Sequence, residues 1–428
     1  MKKPLIRELS TFHFQLSTLF VIFIFYTATI YAQSAADYKF IETDKNVIEI
    51  SETGDSTLIN NFFAKLDSFQ VNKNGKISIV HIGGSHVQAG WLSNRIRENF
   101  GVFNPVLCPP PGIIFPYRAA NTNNPAHYSV WWSGNWTATR NVLRKNHDIS
   151  LGVTGMAIET ADPLATITMQ LNIDSVRYFC QFDTLILLGK NYGKGSLQPV
   201  IRLGDSVLVQ PLTDSIEGIY TYVFPYSVSG FTLVFNIADA GDFKFAINGF
   251  LPRNAAQGVE YHALGVNGAA VPSYINCENF EKELALLKPD MMIFGIGIND
   301  AVDPNFDPDR FVNNYNLLLA KIRSVAPNCA FVFITNNDSF RRVRLRRGRY
   351  RYDVNKNATK VEQAFYRLAE QNAGAVWNQF EIMGGLRSMQ EWEKAGLAAK
   401  DKIHFTKTGY QLLGDMFFEA MMKLRVEN

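Results

Sequence analysis

The stretch that most constrains this chain runs from residue 76 to 101, KISIVHIGGSHVQAGWLSNRIRENFG, where an apolar strand ends and a helix begins with a serine at the join. Ile77, Ile79, Val80 and Ile82 form a β-branched run of the kind found in a strand buried on both faces. Gly83 and Gly84 let the backbone turn tightly after it. From Val87 the apolar positions Val87, Trp91, Leu92 and Ile96 recur at helical spacing, and Gly101 supplies a stop. A serine at residue 85 then has its hydroxyl at the mouth of a sheet. Its N–H falls among the unpaired donors of a helix start, where developing negative charge is stabilised. An N-cap serine with no chemical duty has the same local sequence, so the choice rests on what lies downstream.

A chain of 428 residues, 47% of them hydrophobic, can bury one large core or two ordinary ones. Lys and Arg total 42 against 39 Asp and Glu, a balance that gives no global field for nucleic acid or an anionic membrane. Residues 1–32 read as an export signal: Lys2, Lys3 and Arg7, then the apolar LFVIFIFYTATIYA, with cleavage expected after Ala32. An uncleaved anchor is the alternative, although the apolar stretch is short for a span of about 20 residues. The mature protein is expected to be extracytoplasmic, with no stable membrane span after signal removal. Cys108, Cys180, Cys277 and Cys329 show no CxxC spacing, so neither a metal site nor a cofactor is expected; export permits disulfides without naming a pair. Buried free thiols are the simpler reading of these cysteines.

Taken in order, residues 33–108 hold a lead-in, a helix over 56–69 and the strand–serine–helix unit. Residues 109–255 look all-β. TITMQL, FDTLILLG, PVIRLG, SVLVQP, YTYVFPY, FTLVFNIA and FKFAING are short runs separated by Gly, Asp and Ser, as in a β-sandwich. Trp131, Trp132 and Trp136 near its start are read as sandwich core, with a sugar-stacking surface as the alternative. From 256 to 428 strands and helices alternate again: strands at 259–265, 291–297, 330–335 and 375–378, and helices over 307–324 and 407–425. The fold class is therefore α/β, a parallel sheet covered on both faces and interrupted by an inserted β-sandwich.

Four separated points fall where strands of this sheet end: Ser85; the turn Gly265-Val266-Asn267-Gly268-Ala269; Gly297-Ile298-Asn299-Asp300; and Asp401-Lys402-Ile403-His404 before the last helix. Ligands in parallel sheets bind beyond the carboxyl ends of the strands, so these loops are expected to open on one side. A serine needs a base to become a nucleophile, and a carboxylate fixes the imidazole tautomer that accepts its proton. Asp401 and His404 meet that need. The N–H groups of Ser85 and Gly268 and the amide of Asn299 can serve as oxyanion donors.

With these blocks in order, GGSHVQAG, GVNGA, GIND and DKIHFTKTGY, the sequence resembles the SGNH (GDSL-like) hydrolases over roughly residues 50–108 and 256–428. The resemblance implies a three-layer flavodoxin-like fold and a serine esterase needing no metal. Ser85 would be the nucleophile, His404 the base, Asp401 its orienter, and Gly268 and Asn299 oxyanion donors, with Gly265 the less suitable glycine. One departure is Gly84, where that family usually has Asp; the expected effect is on support of the turn. The layout also resembles the family's peptidoglycan O-acetylesterases, whose catalytic domain is interrupted after the first block and whose first block often carries a histidine like His86. The expected substrate is an acetylated polysaccharide, peptidoglycan foremost. Another glycan such as xylan, a lipid ester and a silent glycan-binding role are the alternatives.

The run RRVRLRRGRYRY, residues 341–352, holds seven arginines. It can line the approach to an anionic glycan, with its tyrosines as stacking faces, or be a solvated basic loop. A nucleic-acid arm has the same composition, but the export signal argues against it, and no nucleic-acid partner is expected. Nothing in the sequence indicates an oligomeric state.

Overall fold

The computed structural model describes residues 34–427 apart from 51–54, 104–108, 144–147, 173–179 and 213–216. The expected signal segment 1–32 and Cys108 lie outside the described residues. The chain separates into two units, Met1–Lys39 and Phe40–Asn428. In the first, a single helical turn at Ala35–Asp37 is capped by Ser34. All that follows concerns the second.

Its centre is a six-stranded sheet in the order Ile48–Ile50, Ala375–Trp377, Ala330–Ile334, Met291–Gly295, Lys76–Gly83, Gly258–Gly265. Five strands are parallel, and the short Ile48–Ile50 strand joins the edge antiparallel. Numbered along the chain, the parallel strands have the flavodoxin-like order 2-1-3-4-5, whose switch point lies beside the first strand, Lys76–Gly83. Ile77, Ile79, Val80 and Ile82 of that strand are fully buried, each contributing about 1.5–3 kcal/mol by leaving water.

Three central strands end level with one another in a row of glycines, since Gly83 lies opposite both Gly265 and Gly295. The reason is clearance. A Cβ on Gly83 would lie 2.4 Å from Val87 Cγ2, and one on Gly265 would lie 2.2 Å from the backbone nitrogen of Gln88. The turn carrying Ser85 therefore sits directly on the strand ends. Its helix is not the continuous one that the periodicity suggested. Ser85–Gln88 forms one turn, the chain reverses at Gly90 with φ +77°, and Trp91–Phe100 starts afresh. Helices Thr57–Asn72, Pro308–Val325, Ala358–Gln371 and Lys407–Glu427 cover the sheet. At the second of these the expected cap is present, Asp307 accepting from the N–H groups of Asp309 and Arg310 at 2.9 and 3.3 Å.

Between the first and second parallel strands lie two five-stranded antiparallel sheets. One runs Ile219–Val228, Phe182–Asn191, Phe245–Arg253, Met156–Thr160, Thr137–Arg140; the other runs Tyr128–Ser133, Thr166–Leu171, Gly230–Asp239, Ser196–Leu203, Val207–Val209. Their apolar core continues into that of the α/β layer, through residues such as Phe250, Leu264 and Phe280. Glu283 of the helix Phe280–Leu287 ties the two together, accepting from Val153 N at 2.9 Å and Asn248 Nδ2 at 2.8 Å. Burial raises its pKa to about 7, these bonds offsetting only part of the cost.

Two expectations are corrected here. Trp131 and Trp132 are 53% and 42% exposed on the strand Tyr128–Ser133, which lies at the edge of its sheet and is exposed over its last three residues. Trp136 alone of the three packs against the core, beside Phe235. Of the cysteines, Cys277 and Cys329 are buried free thiols, whereas Cys180 is disulfide-bonded.

Candidate active site

Four loops meet above the glycine row. Ser85 Oγ lies 2.7 Å from His404 Nε2, and His404 Nδ1 lies 2.7 Å from Asp401 Oδ2. Asp401 also accepts through its other oxygen from the N–H groups of Ile403 at 2.9 Å and His404 at 3.0 Å. Burial alone would raise its pKa, but the bonds from the His404 ring and the two backbone donors outweigh that and hold it at about 2. An ionised Asp401 makes Nδ1 the protonated nitrogen and leaves Nε2 to accept the serine proton. The side chains of His404 and Asp401 are 38% and 47% exposed, so water reaches this pair.

The loop is held from several sides. Lys402, at φ +58°, accepts from Phe340 N through its carbonyl at 3.0 Å, Asn337 Nδ2 donates to Ile403 O at 3.0 Å, and Ala399 N donates to His404 O at 2.8 Å. Behind His404 stands His86, with ring centroids 5.2 Å apart. His86 Nδ1 lies 2.8 Å from the Tyr410 hydroxyl. Burial, and then the neighbouring His404, push its pKa down to about 3, so it packs as a neutral ring.

The expected oxyanion donors face the same cleft. Ser85 opens its helical turn, so its N–H has no carbonyl one turn earlier. Gly268, at φ +84°, has no atom within 4 Å of where a Cβ would stand, and it lines the cleft. Gly265 does not: it is packed under Gln88, and its carbonyl accepts from the Tyr117 hydroxyl at 2.9 Å. Asn299 Nδ2 spends one hydrogen on Ala269 O at 2.9 Å, leaving the other for a ligand. Gly84, the position of the departure, sits 3.4 Å at its Cβ site from Asn299 Nδ2. The Ala269 carbonyl that holds the amide lies beside the same point, 3.6 Å away. Asp300 fixes the adjoining segment by accepting from Val271 N, and burial raises its pKa to about 7.

Several contributors were not singled out in the sequence. Gln88 is fully buried and binds both halves of the site: its Oε1 accepts from Asn267 N at 2.6 Å, and its Nε2 donates to Thr122 Oγ1 at 2.9 Å and Asn123 O at 3.0 Å. Asn123 thereby brings the inserted segment to the cleft wall. Trp91, read as an inward helix position, lines the cleft instead and carries Lys407 Nζ 4.4 Å from its ring centre. The break at Gly90 is the sequence signal that redirects it. The cleft is open, about 900 Å³, and Arg341 and Arg342 form part of its wall.

Residues 237–412 match the model of the GDSL-like lipase/acylhydrolase family, a segment that includes Gly268, Asn299, Asp401 and His404 and begins after Ser85. A solved structure titled as a peptidoglycan O-acetylesterase in action is similar at 20% identity and TM-score 0.68, covering 89% of this chain and 99% of that one. An acetyl xylan esterase structure is similar at 15% identity and TM-score 0.30, over 38% of this chain and 81% of that one. A family two carbohydrate esterase from Cellvibrio japonicus is similar at 9% identity and TM-score 0.26, over 70% and 99% of the two chains. No curated protein matches the sequence. The family match over residues 237–412 and the likeness of fold together support an SGNH-type (GDSL-like) esterase that resembles peptidoglycan O-acetylesterases.

Proposed function

We propose that this esterase removes O-acetyl groups from an extracytoplasmic polysaccharide, peptidoglycan foremost, through an acetyl-serine intermediate. The observation that carries the reading is the unbroken chain Ser85 Oγ, His404 Nε2, His404 Nδ1, Asp401 at two 2.7 Å contacts, on the floor of an open cleft. Ser85 Oγ attacks the acetyl carbonyl as its proton passes to His404 Nε2. The N–H groups of Ser85 and Gly268 and the free amide hydrogen of Asn299 hold the oxyanion. His404 then returns the proton to the departing sugar oxygen, leaving acetyl-Ser85. In the second half His404 takes a proton from water as the water oxygen attacks the acetyl carbon; the bond from that carbon to Ser85 Oγ then breaks, and His404 returns the proton to Oγ as acetate leaves. Asp401 stays ionised throughout and orients the imidazole.

The extracytoplasmic setting is supported by the leader-like residues 1–32 and by the disulfide at Cys180, which suits an oxidising compartment. The glycan substrate is supported by the open, wide cleft, by Trp91 at its wall, and by a fold similar to the peptidoglycan O-acetylesterase structure over 89% of this chain. The test is acetate release by the purified protein from O-acetylated peptidoglycan and, separately, from acetylated xylan, with an aryl acetate as reporter. Ser85→Ala and His404→Ala are expected to lose at least about 10³-fold in reporter kcat/KM. Undiminished turnover in both variants overturns the assigned roles. Release from xylan alone overturns the choice of glycan.

A further inference from the structure

The arginine-rich run folds as a hairpin, strand Phe340–Arg344 against strand Tyr350–Val354. Its base is fastened to the catalytic loop: Phe340 N donates to Lys402 O at 3.0 Å, and Lys402 Nζ lies 5.3 Å from the Phe340 ring centre and 5.9 Å from that of Tyr352. The hairpin is thereby tied to the loop that carries His404. Of the seven arginines in residues 341–351, Arg351 pairs with Asp353 at 2.7 Å; the other six have no carboxylate partner among the described residues.

Two of those six belong to the cleft. Arg341 and Arg342 line the same cleft as Ser85, and no Asp or Glu lines it with them. The Arg342 guanidinium carbon lies over the Tyr350 ring, 3.6 Å from its centre, a cation–π contact that restrains the side chain. The Nε of Arg341 is buried with no hydrogen-bond partner. A solvated surface would scatter such charges or pair them with acids. Here they are concentrated on one hairpin at the edge of a cleft whose remaining lining among the described residues is neutral apart from His404, in a chain whose overall charge is only +3.

We infer that this hairpin is a carboxylate-recognition subsite, selecting saccharides that carry carboxylates near the scissile acetyl group. This rests on the glycan reading above and goes beyond it by naming the chemistry read next to the ester. Planar, bidentate donation from a stacked guanidinium fits a carboxylate better than a hydroxyl. In peptidoglycan the carboxylates are those of the stem peptides; in other glycans they are uronic acids.

The experiment measures inhibition of aryl acetate hydrolysis, so it does not depend on the enzyme deacetylating any glycan. The probes are a disaccharide tetrapeptide from peptidoglycan and an oligogalacturonate, each also as its fully amidated, neutral form. In the unaltered protein the charged probe is expected to inhibit about tenfold more strongly than its amidated form, the worth of one charge-assisted pair. Salt above about 0.5 M should erase the difference by screening. In Arg341→Gln/Arg342→Gln the ratio of the two inhibition constants should fall toward one; Arg341→Lys/Arg342→Lys, which keeps charge but loses the planar fork, should fall between. Preference for the peptide-bearing probe over the uronate places the carboxylates on stem peptides, and the reverse places them on the sugar. Equal inhibition by charged and amidated forms in the unaltered protein overturns the inference, as does a ratio unchanged by the double Gln substitution. Failure of acetate release from every glycan, with the ratio intact, would instead count against the deacetylase reading.

Discussion

Replacing Asp401 by Asn should impair the enzyme more than replacing it by Ala, although Asn is the closer mimic. In the structure Asp401 Oδ1 accepts from two backbone N–H groups while Oδ2 accepts from the His404 ring. An asparagine carbonyl can keep the first two bonds, which turns its NH₂ group toward His404 Nδ1. That nitrogen must then accept, the ring proton moves to Nε2, and the atom facing Ser85 becomes a donor that cannot take the serine proton. A fully buried triad loses about 10⁴-fold from this change; with Asp401 47% exposed, water can partly relieve the wrong tautomer, and about 10³-fold in kcat/KM, or about 4 kcal/mol, is expected. Alanine removes the carboxylate without imposing a tautomer, and water can satisfy the exposed loop N–H groups, so about 10²-fold is expected. The assay is aryl acetate hydrolysis across pH 5–9. Because Asp401 is held at about 2, it is ionised over that whole range, and the difference between the variants should not vanish at either end. Equal losses, or a larger loss in Asp401→Ala, would refute the tautomer argument and make the residue chiefly a clamp on its loop.

Other outcomes follow from the same contacts. Gln88→Ala should lower thermal stability by about 2 kcal/mol and reporter kcat about tenfold with little change in KM, since it frees the Gly268 turn and strands buried partners; calorimetry and steady-state kinetics check both. Glu283 and Asp300 have pKa values raised to about 7 in the folded protein, so the folded state binds more protons than the unfolded chain between about pH 4 and 7. Stability should therefore fall as pH rises through that window, and Glu283→Gln should flatten the fall by about 2 kcal/mol in denaturant titrations at pH 5 and 8. A fall of the same size in that variant rejects the assignment. Gly84→Ala should leave reporter turnover within about threefold, because its Cβ site has ordinary contact distances and its φ is −96°.

The strands Lys76–Gly83, Gly258–Gly265, Met291–Gly295 and Ala330–Ile334 were legible in the sequence because strands buried on both faces are written as continuous apolar runs. The capped helix Pro308–Val325 was legible for an equally local reason, Asp307 before Pro308. Local signals failed where the deciding contact was distant. Trp91 has helical spacing to Val87, yet the turn at Gly90 sends it to the cleft. Trp131 and Trp132 have the composition of core and are exposed, because Tyr128–Ser133 is an edge strand of its sheet, a placement that only the topology decides. The arginine run read equally well as a solvated loop; only pairing between Phe340–Arg344 and Tyr350–Val354 places Arg341 and Arg342 in the cleft wall.

The sequence by itself determined the kinds of group available and the order of the strand ends that bear them, since strand, turn and cap preferences act over a few residues. It could not decide which groups touch. Ser85 and His404 are 319 residues apart, and Gln88 meets Asn267 across 179. Those meetings depend on the parallel register that levels Gly265, Gly83 and Gly295, and on the absence of side chains there, which lets the Ser85 turn settle within reach of the loop that carries the imidazole.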